Sequence, residues 1–70
     1  MEHDLDIEFM DFNQRRHMRG AAAARFEILY SDGETELLWM TPTEIRKNMK
    51  AFPHCIGELT RGLACYGGGA

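Results

Sequence analysis

The stretch FEILYSDGETELLWMTPTEIRKNM, residues 26–49, decides the fold, because two apolar runs, a turn and a helix start follow one another in it. Asp32-Gly33 lies between the apolar runs, and this dipeptide is typical of a two-residue type I′ hairpin loop. Such a loop would set apolar residues of the two strands opposite each other, with the predicted pairs Tyr30–Thr35, Ile28–Leu37 and Phe26–Trp39.

This register gives the hairpin one apolar face and one mixed face. A three-residue loop would instead set Ile28 against Glu36 and mix the two faces. Because a slip of one residue exchanges the faces of a strand, the hydrophobic pattern favours the two-residue loop. The second face of the hairpin is then predicted to hold Arg25, Glu27, Leu29, Glu36, Leu38 and Met40.

The second half of the stretch predicts a carefully capped helix over residues 42–52. Thr41 is a good N-cap, Pro42 suits the first helical position, and Glu44 completes a capping box. Met40 and Ile45 can form a hydrophobic staple around the cap. The helix should end before Pro53, since the residue preceding a proline avoids the helical region.

The rest of the chain supplies one more strand and a second helix. LDIEFMDF, residues 5–12, alternates apolar and acidic side chains and then slips in phase, which predicts a strand with a bulge near Phe9 or Met10. The alternative is a helix, because Leu5, Phe9 and Phe12 also share helical spacing. Residues 13–24 are compatible with a connection, a helical turn or a strand start, and residues 54–65 with a second helix.

The predicted fold class is therefore α+β. It is a three-stranded antiparallel sheet, with strands near 5–12, 22–30 and 35–40, packed against the helices 42–52 and 54–65. We expect one small domain over residues 1–66 and a flexible tail at 67–70. A 70-residue chain buries only about 60% of the surface that its unfolded form exposes. Dimerisation could therefore add stability, and a homodimer is one expected assembly.

Composition narrows the classes of function only a little. The net charge is −3 and 44% of residues are hydrophobic, which is ordinary for a globular chain. The N-terminus is acidic, and no run resembles a secretory signal or a membrane span. We expect a cytoplasmic protein without a membrane partner, in which both cysteines are reduced.

The residues that could carry chemistry do not form a recognisable motif. Cys55 and Cys65 stand ten residues apart with His54 beside the first, a spacing that differs from those of common zinc sites. Buried thiols that behave as small apolar side chains explain them better. We therefore predict no metal, no cofactor, no intrachain disulfide and no catalytic residue, so that the protein is not an enzyme.

Two surfaces are candidates for binding a partner. The first is the mixed face of the hairpin, where Leu29, Leu38 and Met40 would form an apolar patch rimmed by Arg25, Glu27 and Glu36. The alternative is that a helix or the first strand covers this face and makes these residues ordinary core. The second surface is basic and would bind nucleic acid, and its residues are Arg15, Arg16, Arg19, Arg46, Lys47 and Lys50.

The strand–turn–strand–helix unit of residues 26–49, within a small acidic chain, resembles the accessory proteins that phages make. Those include host-takeover inhibitors and anti-CRISPR proteins. The resemblance implies a non-enzymatic viral protein that inhibits or modulates a host macromolecule, a protein or a ribonucleoprotein, by occupying its surface in the host cytoplasm. It transfers no functional residue to this chain.

Overall fold

The computed structural model describes residues 5–67, which form a three-stranded antiparallel sheet with three α-helices, the α+β fold that the sequence predicts. The sheet has the strand order β1–β2–β3. The predicted tail at 67–70 lies, from residue 68 onward, outside the described residues. The elements are β1 (Leu5–Phe12), α1 (Gln14–Met18), β2 (Ala24–Tyr30), β3 (Thr35–Met40), α2 (Pro42–Ala51), a 3-10 turn (Pro53–Cys55) and α3 (Ile56–Cys65).

The first element is a strand with a bulge, as its slipping alternation predicts. The register with β2 shifts between Phe9 and Asp11, which leaves Met10 as the extra residue. Before the bulge, alternate apolar side chains of β1 face apolar residues of β2, in the pairs Leu5–Tyr30, Ile7–Ile28 and Phe9–Phe26. The bulge restores Phe12 to the side of the core, against which it packs.

The hairpin loop has three residues, so the predicted two-residue register is wrong. Tyr30 and Glu34 close the loop, because Tyr30 N–H donates to Glu34 O at 2.9 Å and Gly33 N–H donates to Tyr30 O at 3.0 Å. Gly33 has φ +95°, the left-handed conformation that the third position of such a loop requires. Asp32 Oδ1 accepts from Glu34 N–H at 2.9 Å. The observed pairs include Ile28–Glu36, Phe26–Leu38 and Ala24–Met40.

This register places Glu36 on the same face of β3 as Leu38 and Met40, and the strand tolerates the charge because this part of it is uncovered. Residues 35–38 are all exposed. Glu36 lies opposite Ile28 but stays in solvent, where its carboxylate accepts from Tyr30 O–H at 2.8 Å. An exposed carboxylate carries no desolvation penalty. The turn chemistry of Asp32 and Gly33 therefore sets the register, rather than the hydrophobic pattern.

Residues 13–23, whose structure the sequence left open, form a short helix and a return turn. Asn13 caps α1, because its Oδ1 accepts from Arg16 N–H at 3.0 Å. Gly20 has φ +80° and turns the chain back. Asn13 N–H then donates to Ala23 O at 2.9 Å, which closes the connection where β2 is about to begin. The strand therefore starts at Ala24, two residues later than predicted.

The capped helix is confirmed. Glu44 N–H donates to Thr41 Oγ1 at 3.2 Å, and Thr41 N–H donates to Glu44 Oε1 at 2.9 Å, so both bonds of the capping box are present. Ile45 is fully buried and Met40 is only 4% exposed, which places both ends of the predicted staple in the core. The cap thus fixes the direction in which α2 leaves β3.

The helix α3 approaches the sheet most closely at Gly62, which lies over the ring of Phe26. Both residues are buried. A Cβ atom built on Gly62 would lie 2.3 Å from Phe26 Cζ, so only glycine fits this position without movement of the ring or the helix. Leu59, one turn earlier, is also fully buried. Together these contacts seat α3 over β1 and β2.

Tyr66 fastens the end of α3 to the other end of the sheet. Its hydroxyl oxygen accepts from Ala23 N–H at 2.6 Å and from Ala24 N–H at 3.1 Å. The same hydroxyl donates to Met40 O. One side chain therefore joins the start of β2, the end of β3 and the helix layer.

Substitutions at the two glycines of α3, one in open space and one against Phe26, test how tightly this helix packs on the sheet. Alanine at either position should favour the helix by about 1 kcal/mol. Gly57 has no heavy atom within 4 Å of a built Cβ, whereas Gly62 has the Phe26 ring. We expect Gly57→Ala to raise the free energy of unfolding by about 0.5–1 kcal/mol. We expect Gly62→Ala to lower it by about 1–2 kcal/mol, because overpacking outweighs helix propensity. Urea denaturation measures both, and equal stabilisation by the two variants would show that α3 does not press on Phe26.

Candidate partner-binding surface on the third strand

The two edges of the sheet differ in their cover: side chains bond to the outward backbone groups of the β1 edge. His54 Nε2 lies 2.8 Å from Leu5 O, and Glu58 Oε1 accepts from Phe9 N–H at 2.8 Å. Between them, the backbone of Ile7 forms a hydrogen bond with the Cys55 thiol. Three successive outward-facing positions of β1 are thus bonded to side chains of the 3-10 turn and α3. A strand edge occupied in this way cannot accept another strand.

The same contacts shift the pKa values of two groups at this covered edge, the Glu58 carboxyl and the Cys55 thiol. The hydrogen bond from Phe9 N–H, followed by the contact with Arg61, holds the pKa of Glu58 below its ordinary value. Burial, reinforced by the neighbouring acids Asp6 and Glu58, raises the pKa of the Cys55 thiol, although its bond to Ile7 opposes this. A thiol with a raised pKa is protonated at neutral pH and is a weak nucleophile.

Asp6, His54 and Cys55 also form the one group in residues 5–67 with the composition of a metal site. Each offers a ligand atom, and these atoms lie within 4.8 Å of one another. The hydrogen bonds of His54 and Cys55 to β1 account for their positions without an ion. No pattern in the sequence points to this group, because Asp6 lies at the opposite end of the chain from the other two. That the protein binds no metal remains a prediction.

An open cleft of about 600 Å³ lies beside this edge, between β1 and the start of α3. Acidic side chains line it from both sides, among them Asp6, Glu8 and Glu58, together with Arg61. The second cysteine, Cys65, is exposed rather than buried, which corrects the expectation that both thiols are core residues. Its thiol donates to Arg61 O at 3.5 Å, and it lies outside the lining of the cleft.

The β3 edge is uncovered on every side that the structure describes. Leu37 is 54% exposed and Leu38 is 37% exposed, and adjacent residues of a strand point to opposite faces. Neither α2 nor α3 extends over residues 35–38, all of which are exposed. Within residues 5–67 β3 pairs with β2 alone. The strand therefore presents apolar side chains on both faces and a free edge.

The three-residue loop divides the patch that the sequence predicts. Leu29, Glu27 and Arg25 lie on the face away from the helices, together with Leu37 and Trp39. Glu36 and Leu38 lie on the helix side, beyond the cover of the helices. Met40 belongs to the core, at 4% exposure, as the alternative reading anticipated. Leu29, Leu38 and Met40 are therefore not one patch, and Met40→Asp should unfold the protein rather than abolish binding.

Trp39, predicted to be a core residue, is half-buried on the open face beneath two arginines. The guanidinium carbon of Arg16 lies 4.1 Å from the ring centroid and that of Arg25 lies 5.3 Å from it. Arg25 also forms an ion pair with Asp11, at 2.6 Å between Nη2 and Oδ2. We define the exposed strip as Leu29, Leu37, Leu38 and Trp39. Sequence reasoning missed Leu37 and Trp39 because the wrong loop length placed them in the core.

The predicted basic surface consists of two groups with different surroundings. Arg15, Arg16 and Arg19 lie in or beside α1, and Arg16 is held by Ala22 O at 2.6 Å in addition to its contact with Trp39. The second group lines a shallow pocket on α2 together with Thr43, and its members are Arg46, Lys47 and Lys50. No described pocket contains residues of both groups.

The covered edge makes stability depend on acid pH through Glu58. Folding lowers the pKa of Glu58. Its contribution to the free energy of unfolding is therefore complete above the pKa of the unfolded chain, about 4.3. The contribution is lost as the pH falls from there through the pKa of the folded protein. Glu58→Gln should therefore be less stable than the wild type at pH 7, and the difference should shrink towards pH 3. Urea denaturation at the two pH values measures it. A difference that stays constant would mean that Phe9 N–H does not bond the carboxylate.

No protein-family model matches this chain, and comparisons with curated proteins and with solved structures found no similar protein. Within residues 5–67, no helix has the length and apolar character that crossing a membrane requires. Function must therefore be inferred from the surfaces of the chain itself, among which the exposed strip is the most distinctive.

Proposed function

We propose that this chain is a non-catalytic binding protein that inhibits or modulates a host macromolecule by occupying its surface. The target is a protein or a ribonucleoprotein, and the contact surface is the exposed strip, which comprises three residues of β3 and Leu29 of β2. The proposal includes the phage-like origin that residues 26–49 resemble, and with it a site of action in the host cytoplasm.

The single observation that carries this proposal is the exposure of two adjacent leucines on one strand. Leu37 and Leu38 are exposed on opposite faces of β3, whereas β1 and β2 each leave a single large apolar side chain exposed, Met10 and Tyr30. Small domains gain stability by covering such residues, yet no helix of residues 5–67 extends over them. Apolar surface that stays open and is rimmed by charge is characteristic of interaction sites.

The surroundings of the strip are suited to specific binding. Trp39 and the arginines above it supply the aromatic and guanidinium groups that dominate interface energetics. Glu27 and Glu36 stand beside the leucines on either face and provide a charged rim. A partner that buries Leu37 against these groups would gain apolar contact while the rim fixes its orientation.

A nucleic-acid-binding function is the second candidate, supported by the three exposed cations that share a pocket on α2. Clusters of this kind bind phosphates in a salt-dependent manner. Arg16 and Arg25 are less available to bind phosphate. Arg16 already contacts Trp39 and Ala22 O, and Arg25 forms an ion pair with Asp11. Retention on heparin that depends on Arg46, Lys47 and Lys50 would favour nucleic acid over a protein surface.

A matched pair of substitutions tests the strip. Leu37 and Ile56 are similarly exposed, at 54% and 49%, but Ile56 lies on α3 rather than on β3. We expect Leu37→Asp to abolish capture of the partner from nuclease-treated host lysate, and Ile56→Asp to leave capture unchanged. A buried apolar anchor typically contributes 2 kcal/mol or more, so the loss should be at least about thirtyfold in affinity.

Circular dichroism on the same variants checks that both remain folded, which we expect of substitutions at exposed sites. Equal capture by the two variants, or loss of capture in both, would contradict a contact centred on β3. If wild-type capture is lost on nuclease treatment and also depends on Arg46, Lys47 and Lys50, the function belongs to the basic surface.

A further inference from the structure

The outer edge of β3 lacks most of the features that prevent strand pairing, and Glu36 is the one charged side chain among residues 35–39. Natural edge strands are protected by lysine, proline, a bulge or a covering element. The β1 edge has a bulge and is covered by side chains, whereas residues 35–39, TELLW, contain neither proline nor lysine and run without a bulge. Within the described residues 5–67, only β2 is paired with this strand.

The direction of the free backbone groups follows from the sheet itself. Phe9 N–H and Leu5 O point outward from β1, since they bond to Glu58 and His54. Tyr30 N–H points from β2 towards β3, where it bonds to Glu34 O. Alternation along antiparallel strands then directs the N–H and C=O groups of Thr35, Leu37 and Trp39 outward, away from β2.

We propose that two copies of the chain pair through these edges, antiparallel about a two-fold axis at Leu37, into one continuous six-stranded sheet. In this register Thr35 faces Trp39 of the second copy and Leu37 faces its own equivalent. All three outward positions are then paired, and each pair exchanges two hydrogen bonds. The interface is isologous, as a two-fold dimer requires.

Charge and local bonding select this register from its neighbours. Sliding the strands by two residues in one direction, the smallest slide that keeps the outward groups opposed, sets Glu36 directly opposite Glu36 of the second copy, which is destabilising. Sliding them in the other direction brings Thr41 into the ladder, but its N–H is already bonded to Glu44 Oε1. In the proposed register Glu36 faces Leu38 of the second copy, and the two carboxylates are only diagonal neighbours, about 7–8 Å apart.

The dimer deepens the proposed function without being required by it. Leu37 and Trp39 of both copies would form one row across the two-fold axis on the open face. The target of the exposed strip would then meet a symmetric surface twice as wide. A second copy is the occupant that this edge fits, because the strand is complementary to itself in length, bonding and charge.

The test uses two substitutions at Thr35, an exposed residue outside the exposed strip. Thr35→Pro removes an outward N–H that the proposed register uses in the dimer, whereas Thr35→Val keeps it. Sedimentation of the full chain from micromolar to millimolar concentrations should show a dimer of the 8.0 kDa chain for the wild type and Thr35→Val. Thr35→Pro should weaken association by about a hundredfold, because bonds are lost at two symmetric positions.

Covalent trapping tests the register and does not depend on the proline variant folding. Residues opposed at a hydrogen-bonded pair have Cα atoms about 5.5 Å apart, within reach of a disulfide. Leu37→Cys, in a Cys65→Ser background, should therefore form a covalent dimer on mild oxidation.

Several results would overturn the dimer: a monomeric wild type, equal weakening by the two Thr35 variants, assembly that grows beyond two copies, or failure of Leu37→Cys to cross-link. A monomer that still captures its target through Leu37 removes this inference and leaves the proposed function in place. A dimeric wild type that captures no target keeps this inference and contradicts the proposed function.

Discussion

The contact between Gly62 and the ring of Phe26 is the constraint on which the rest of the structure depends. Because glycine has no side chain, α3 can lie directly on the central strand, and Leu59 fills the space beside it. This position centres the helix layer over β1 and β2 and leaves none of it for residues 35–38 of β3. A small chain has only enough helix to cover part of its sheet. The exposure of β3 is thus a consequence of where α3 can approach.

The same placement explains why the two sheet edges differ. With α3 beside β1, the side chains of His54, Cys55 and Glu58 reach the outward backbone groups of that strand. Tyr66, just past the end of α3, reaches only the last residue of β3 through Met40 O. One edge is therefore closed by side chains and the other is left with its backbone groups outward. A closed edge and an open edge in one sheet direct any strand partner to a single place.

The predictable parts of this fold are those with local causes. The capping box at Thr41 and Glu44, the bulge near Met10 and the glycine turn at Gly33 are each encoded within a few residues, and all three are present. The loop length was not predictable in this way, because Asp32-Gly33 suits both a two-residue loop and a three-residue loop. The hydrophobic pattern selected the wrong one, since it assumed that both faces of β3 matter equally. The prediction of the candidate site was affected most by this error, because a shift of one residue moved Leu37 from the core to the surface.

Amide hydrogen exchange, measured residue by residue at concentrations low enough to keep the chain monomeric, tests the central claim most directly. The claim is that the β1 edge is closed and the β3 edge is open. The account predicts that the outward amides of Ile7 and Phe9 are protected, whereas those of Leu37 and Trp39 exchange rapidly. Protection of Leu37 and Trp39 equal to that of Phe9 in the monomer would contradict it, because β3 would then be covered and could not serve as the binding strand.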